Sequence, residues 1–235
     1  MYKQPKNSRK GENGKLLIVA GSKKFHGAAM LAILGARRFV DLVFFYPAEK
    51  DPYLLNAVKT IPEVIVLQKL EMIDKMDCIL FGNGIGNAKI DLKKLKGKLV
   101  VDAEGLKQIK GKIPNGAILT PHEGEFKMLF GLDGSEKNVK AMAKKHNCVI
   151  LKKGAIDIIS DGKRVYRNKT GNPGMTKGGT GDVLAGLVAA LFCKNNGYDA
   201  AVEGAKLAGN AGDRLMKKFG YNYCASDLAE MLANV

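Results

Sequence analysis

The stretch GNPGMTKGGTGDVLAGLVAAL (171–191) joins a glycine-rich turn to an apolar helix. Apolar residues recur at intervals of three and four along 184–191, which predicts a helix with one buried stripe. We therefore expect the helix to begin near Gly181 or Asp182, directly after the glycines.

The glycine-rich turn has the features of an anion site. The first turn of a helix carries backbone N–H groups without internal partners, together with the positive end of the helix dipole. Gly178, Gly179 and Gly181 have no side chains to block approach, and glycine permits conformations that aim successive N–H groups at one point. The turn is therefore predicted to hold phosphate, although the Walker pattern GxxxxGK[ST] is not present here.

Asp182 lies where such an anion would bind. A carboxylate beside an anion is unfavourable unless it has a task, and the useful task is to accept a proton from a hydroxyl that attacks phosphorus. The alternative interpretation is that Asp182 only starts the helix and that the glycines only form a tight turn.

Seven short apolar runs precede this stretch and predict the rest of the fold. They are KLLIVA (15–20), DLVFFY (41–46), EVIVLQ (63–68), DCILFG (77–82), KLVVDA (98–103), AILT (117–120) and CVILK (148–152). Each run is apolar at successive positions, which is typical of parallel strands buried on both faces. With helical segments between several of them, the pattern predicts a three-layer α/β domain with a mostly parallel central sheet flanked by helices.

The pattern changes after Cys148. IDIIS (156–160) and KRVYR (163–167) flank an Asp-Gly pair, which predicts a β-hairpin region toward the C-terminus. Helices are expected at about 28–38, 125–129, 136–146, 181–194 and 199–218. Ser226 and Asp227 could cap a last short helix, with Glu230 completing a capping box. We find no repeat or linker and expect residues 1–235 to form a single domain.

The composition limits the class of protein. The formal net charge is +15, which would suit a nucleic-acid binder, but the lysines are scattered as pairs and tryptophan is absent. A small polyanionic ligand or simple solvation explains the charge as well, and we expect no nucleic-acid partner. There is no apolar run long enough for a membrane span and no secretory leader pattern. The four cysteines form no CxxC pair, which favours reduced thiols in a cytoplasmic protein over a zinc or disulfide framework.

Several motifs together carry a family resemblance. NPGMTKGGTGDVLAG (172–186) and TPHEGEF (120–126) resemble the ADP/ATP-dependent NAD(P)H-hydrate dehydratases, members of the ribokinase-like superfamily. Further segments are similar in the same order: 10–38, GNGIG (82–86), LKKGAIDIIS (151–160) and ASDLAE (225–230). The resemblance covers nearly the whole chain and implies a ribokinase-like fold.

The resemblance implies repair of hydrated NADH and NADPH. A nucleotide phosphorylates the hydroxyl that water has added to the nicotinamide ring, and phosphate then leaves as NAD(P)H reforms. ADP is the expected donor, with release of AMP, and ATP is the alternative; Mg²⁺ would accompany the nucleotide, and no metal-ligating residues of the protein are expected. Asp182 would be the catalytic base.

The resemblance also assigns the binding residues. The expected substrate contacts are Ala28, Gly84, His122, Asn172 and Asp182. The expected nucleotide contacts are Lys153, Gly154, Ala155, Ile156, Asp157, Gly179, Thr180 and Gly181. His122 could instead be a hydrogen-bonded loop residue, Asn172 could instead fix its loop, and Glu125 could orient the loop or hold a metal-bound water.

The roles of residues at three places in the chain stay open. Asn83 stands where the family has proline, which would leave that loop less rigid. Lys152 and Lys153 are adjacent, so either one could be the lysine that reaches phosphate. Lys177 could add a phosphate contact or face water.

The resemblance extends to assembly and to a rival function. A homotetramer is common in the family, and about fourteen residues before the first strand leave no room for the epimerase domain of larger relatives, which we expect on a separate chain. The rival function is that of a ribokinase-like small-molecule kinase, acting on a hydroxymethylpyrimidine or a thiazole alcohol. A second rival is a basic nucleic-acid-binding protein on a degenerate kinase scaffold.

Overall fold

In the computed structural model, which describes residues 2–235, nine strands form one sheet. The strands are β1 (Lys15–Ala20), β2 (Leu42–Pro47), β3 (Val64–Val66), β4 (Cys78–Phe81), β5 (Leu99–Val101), β6 (Ile118–Leu119), β7 (Val149–Lys152), β8 (Asp157–Ser160) and β9 (Val165–Asn168). Their order across the sheet is β3-β2-β1-β4-β5-β6-β7-β8-β9. The first seven strands pair in parallel, and β8 and β9 add an antiparallel hairpin. The predicted strands and hairpin are confirmed.

Helices cover both faces of this sheet. They are α1 (His26–Ala36), α2 (Pro52–Val58), α3 (Glu104–Gln108), α4 (Glu123–Phe130), α5 (Glu136–His146), α6 (Thr180–Lys194), α7 (Gly197–Phe219) and α8 (Ala225–Met231). Leu16 and Ile18 of β1 face the layer of α1, α2, α6, α7 and α8, whereas Leu17 and Val19 face the layer of α3, α4 and α5. Successive residues of a strand point to opposite faces, so a run that is apolar throughout fills both cores. The expected three layers are confirmed.

Helices α1 and α6 touch through their backbones. A Cβ added at Gly186 of α6 would lie 2.0 Å from the carbonyl oxygen of Ala32, and one added at Gly35 of α1 would lie 2.3 Å from that of Val183. Only glycine permits so close an approach. This contact fixes the N-terminal end of α6 against α1.

The sheet order reverses between β1 and β4. The loops that leave these two strands meet there: the N–H of Gly21 donates to the carbonyl oxygen of Asn83 (2.8 Å), and the hydroxyl of Ser22 donates to that of Gly84 (2.8 Å). In open α/β sheets, ligands bind at the carboxyl ends of the strands near such a reversal.

The start of α8 differs from the prediction. The helix begins at Ala225, and Asp227 accepts a hydrogen bond from the N–H of Cys224 (2.7 Å). Asp227 is therefore the acid in the third helical position of a capping box and not the cap itself. Glu230 takes no part in the cap, because its carboxylate pairs with Arg37 and Arg38 of the neighbouring α1 region.

Candidate active site

The glycine turn (177–181) leads into α6, whose first two residues are Thr180 and Gly181, and it is held in one conformation. Gly179 has a φ of +96°, and a Cβ there would lie 2.3 Å from Cδ1 of Leu31. The hydroxyl of Thr180 donates to the carbonyl oxygens of Met175 (2.6 Å) and Lys177 (2.9 Å). The first N–H groups of α6 are therefore presented on a fixed loop, as an anion site requires.

Asp182 lies in the first turn of α6, beside these N–H groups. Its Oδ1 accepts a hydrogen bond from the side-chain amide of Asn83 at 2.7 Å. Burial, assisted by the negative charges of Asp102 and Glu104, raises the pKa of Asp182 to about 7, against the opposing effects of Asn83 and Lys153. A carboxyl group with this pKa can accept and return a proton near neutral pH.

Asp102 is the centre of a polar network that the sequence analysis missed. This carboxylate is 2% exposed. It accepts hydrogen bonds from Thr120 Oγ1 (2.8 Å), Lys153 Nζ (2.7 Å) and Asn83 Nδ2 (2.9 Å). The available signal was an acid at the end of the apolar run 98–103, because the carboxyl end of a parallel strand is where ligand sites form.

The structure separates the roles of the two adjacent lysines. Lys153 points to Asp102, whereas Lys152 at the end of β7 pairs with Glu123 (3.4 Å). Burial alone would lower the pKa of Lys153, but the charges of Asp102 and Glu125 outweigh it and raise this pKa. Lys153 is therefore the cation that faces the predicted site.

A cavity of about 460 Å³ lies beside the glycine turn, between the loop after β7 and helices α6 and α7. Eight of the predicted site residues line it: His122, Lys153, Gly154, Ala155, Asp157, Asn172, Thr180 and Gly181. The remaining wall is formed mainly by 170–176 and by small residues of α7, including Ala205, Ala208 and Gly209. This volume suits a small-molecule ligand.

Five predicted residues lie outside the lining of this cavity. Ile156 is 45% exposed, and Gly179 and Asp182 do not line the cavity although Thr180 and Gly181, which lie between them in the chain, do. Ala28 and Gly84 are brought together, since a Cβ added at Gly84 would lie 2.6 Å from that of Ala28. These two belong to the loops at the sheet reversal, so the site has two regions with Asp182 between them.

His122 has the structural role that the sequence left open. Its Nδ1 accepts hydrogen bonds from the N–H groups of Gly124 (3.0 Å) and Glu125 (3.3 Å) at the start of α4. Glu125 returns the bond by accepting from the N–H of His122 (2.8 Å), which completes a capping box. Glu125 therefore orients the loop, and the exposed ring of His122 is held at the cavity edge.

Comparison with known proteins decides the family. The Carb_kinase family model, described as NAD(P)H-hydrate dehydratase, matches residues 16–234. This chain belongs to the NAD(P)H-hydrate dehydratase family. The resemblance found in the motifs is thereby confirmed.

Two relatives place the chain within the NAD(P)H-hydrate dehydratase family. A bifunctional NAD(P)H-hydrate repair enzyme of Methanocaldococcus jannaschii is 40% identical over the whole of this chain, which spans 50% of that protein. The ADP-dependent (S)-NAD(P)H-hydrate dehydratase of Cenarchaeum symbiosum is 34% identical over 98% of this chain and 91% of its own. The chain spans about half the length of the bifunctional relatives.

The solved structure shows the shared fold. The ADP/ATP-dependent NAD(P)H-hydrate dehydratase of Bacillus subtilis, co-crystallised with ATP and Mg²⁺, matches with a TM-score of 0.84 at 24% identity, covering 99% of this chain and 92% of its own. The expected ribokinase-like fold is confirmed. No helix within residues 2–235 has the length and apolar character that crossing a membrane would need.

Two residues of this dehydratase-family chain hold the glycine turn in place. Asn172 accepts from the N–H of Gly174 (3.0 Å) and the hydroxyl of Tyr223 (2.8 Å), so it fixes its own loop. Lys177 donates to the carbonyl oxygens of Tyr221 and Tyr223. These two carbonyl groups come within reach of Lys177 because the chain returns to it just before α8.

Proposed function

We propose that this chain catalyses the ADP-dependent dehydration of (6S)-NAD(P)H hydrate to NAD(P)H, with release of AMP and phosphate. The observation that carries the proposal is the position of Asp182, whose pKa is raised to about 7, directly beside the glycine turn and the α6–α7 cavity. Family membership supplies the substrate class.

The nucleotide would occupy the cavity with its terminal phosphoryl group at the N–H groups of 179–181. Lys153 borders the same space, since its Nζ would lie 3.5 Å from a Cβ on Gly181. Fixed N–H dipoles and an ammonium group stabilise the charge that spreads over a phosphoryl group during transfer. The small residues of α7 leave room for the rest of the nucleotide.

The hydrated cofactor would approach from the region of Ala28 and Gly84. Asp182 takes the proton of its ring hydroxyl, and the hydroxyl oxygen bonds to the terminal phosphorus as the bond to AMP breaks. Phosphate then leaves the ring, and the neighbouring ring carbon loses a proton as the double bond reforms. The products are NAD(P)H, AMP, phosphate and one proton. Phosphorylation is needed because hydroxide is a poor leaving group, whereas phosphate is a good one.

Mg²⁺ would reach the site with the nucleotide. Among residues 2–235, no three His, Cys, Asp or Glu side chains lie close enough together to hold a metal ion. Mg²⁺ commonly binds through one or two carboxylates and the phosphates of the substrate. We also propose a homotetramer, for which the family resemblance is the support, and a cytoplasmic location, which the four free cysteines favour.

Recovery of NADH absorbance from chemically hydrated NADH tests the function, with ADP and ATP supplied separately. When ADP is the donor, we expect NADH, AMP and free phosphate to form in equal amounts. Asp182→Asn is the matched control and should give no turnover while it still binds ADP. A stable phosphoester on a pyrimidine or thiazole alcohol, with no NADH formed, would instead favour the small-molecule kinase.

A further inference from the structure

Asn83 is a fully buried amide between two carboxylates. Its side chain is 0% exposed, and its Nδ2 donates to Asp182 Oδ1 at 2.7 Å and to Asp102 Oδ2 at 2.9 Å. The loop can bring the amide so close because a Cβ on the preceding Gly82 would lie only 2.1 Å from the carbonyl oxygen of Asp102. One NH₂ group therefore joins the ends of β4, β5 and α6.

The orientation of this amide is set by the two acids. The opposite orientation would turn Oδ1 toward two carboxylate oxygens, which cannot donate to it when ionised. In the observed orientation both N–H groups are used, and Oδ1 is buried without a hydrogen-bond partner in residues 2–235. A buried unpaired acceptor is unfavourable. The two hydrogen bonds that the NH₂ group donates to Asp102 and Asp182 offset this cost.

We propose that Asn83 is a positioning residue for the reaction, which locks Asp182 Oδ1 and leaves Oδ2 to take the substrate proton. The inference rests on the proposed function. Lys153 Nζ and Thr120 Oγ1 fix Asp102 from the other side, so that Asp182 is held by a chain of contacts anchored in the nucleotide region.

The same bridge sets the acidity of the base. The charged groups that face Asp182 are Asp102 after β5, Glu104 of α3 and Lys153 after β7. The two acids raise the pKa of Asp182, whereas Lys153 and the amide of Asn83 lower it. Removing the amide should therefore raise this pKa further and shift the acidic limb of the rate profile to higher pH.

Turnover of hydrated NADH with ADP, measured across pH, tests the inference with Asn83→Leu, which is nearly isosteric and has no donor. We expect kcat to fall about 10- to 100-fold, the acidic limb to move to higher pH, and the Kd for ADP to stay within about twofold. Asn87→Leu is the control, because Asn87 is exposed in the same segment and should keep wild-type rates. Asn83→Ser, which can serve one carboxylate at most, should show the same changes and replaces the leucine variant if that variant does not fold.

A measurement on the wild-type protein needs no substitution at Asn83. The side-chain NH₂ resonance of Asn83 in ¹H–¹⁵N spectra should titrate with the midpoint of the acidic limb, and this titration should be lost in Asp182→Asn. The inference is overturned if a folded Asn83 variant keeps both the wild-type kcat and the wild-type acidic limb of the rate profile. It is also overturned if the NH₂ resonance does not titrate. Absence of ADP-dependent turnover in the wild type would instead overturn the proposed function.

Discussion

Replacing Asp182 with asparagine should stabilise the protein at alkaline pH while it abolishes turnover. Burial raises the pKa of this carboxyl from 3.8 to about 7. The folded state therefore holds the proton more tightly than the unfolded chain, and stability falls as pH rises from about 4 to about 7. Asparagine removes the charge and keeps an oxygen that can accept the hydrogen bond from Asn83.

The size of this stabilisation follows from the shift in the pKa of Asp182. Roughly three pKa units correspond to roughly 4 kcal/mol, and partial exposure of the side chain reduces the expected gain to about 2–4 kcal/mol near pH 8. For a domain of this size, this gain raises the Tm by about 5–15 °C. Near pH 5 the gain in the free energy of unfolding should be less than about half of that near pH 8, since Asp182 in the folded protein is then already protonated.

Thermal unfolding followed by circular dichroism at the two pH values provides the measurement. Asp41→Asn is the matched control with the opposite sign. Although burial opposes it, hydrogen bonds from Asn13 and Gly11 lower the pKa of Asp41, so asparagine there should destabilise the protein near pH 8. An Asp182→Asn variant with the same Tm shift at both pH values, or a lower Tm near pH 8, would refute the account of Asp182 as a buried, high-pKa acid.

Three further predictions concern activity and packing. The rate of NADH recovery should rise about tenfold between about pH 6 and pH 8, because deprotonation of Asp182 passes its midpoint near 7; a flat profile would contradict its role as the base. The family resemblance implies that His122 contacts the substrate, although its ring also borders the cavity proposed for the nucleotide. His122→Ala should therefore weaken binding of the hydrated dinucleotide more than that of ADP, which calorimetry can measure, and equal losses would argue against a substrate contact. Gly186→Ala should lower the free energy of unfolding by at least about 3 kcal/mol, because its Cβ would lie 2.0 Å from a carbonyl oxygen of α1; Gly27→Ala, which meets open space, should be neutral or stabilising.

The features that the sequence predicted well are local in the chain. The apolar runs, the hairpin and the start of α6 each follow from residues within about 20 positions of one another, where strand and helix periodicities are read directly. Asp182 and its glycines belong to this group, because the turn and the carboxylate are adjacent.

The contacts that the sequence did not predict join distant residues. Asn83, Asp102 and Lys153 meet only because the sheet order places β4, β5, β6 and β7 side by side. Asn83 was expected to leave its loop less rigid than proline would, yet its amide ties the loop to two acids, because a side chain can replace the stiffness that a ring gives the backbone. Lys177 likewise finds its partners 44 and 46 residues away.

The backbone contact between α1 and α6 limits how this chain can change. Most helix pairs are separated by side chains, and exchanging one of these for a larger or smaller one alters the spacing gradually. Here peptide groups touch peptide groups, so there is no adjustable spacer between the helix that begins at the glycine turn and the helix that carries Ala28. Laboratory selection for a new substrate should therefore collect its substitutions in the loops around the pocket and leave the distance between these two helices as it is.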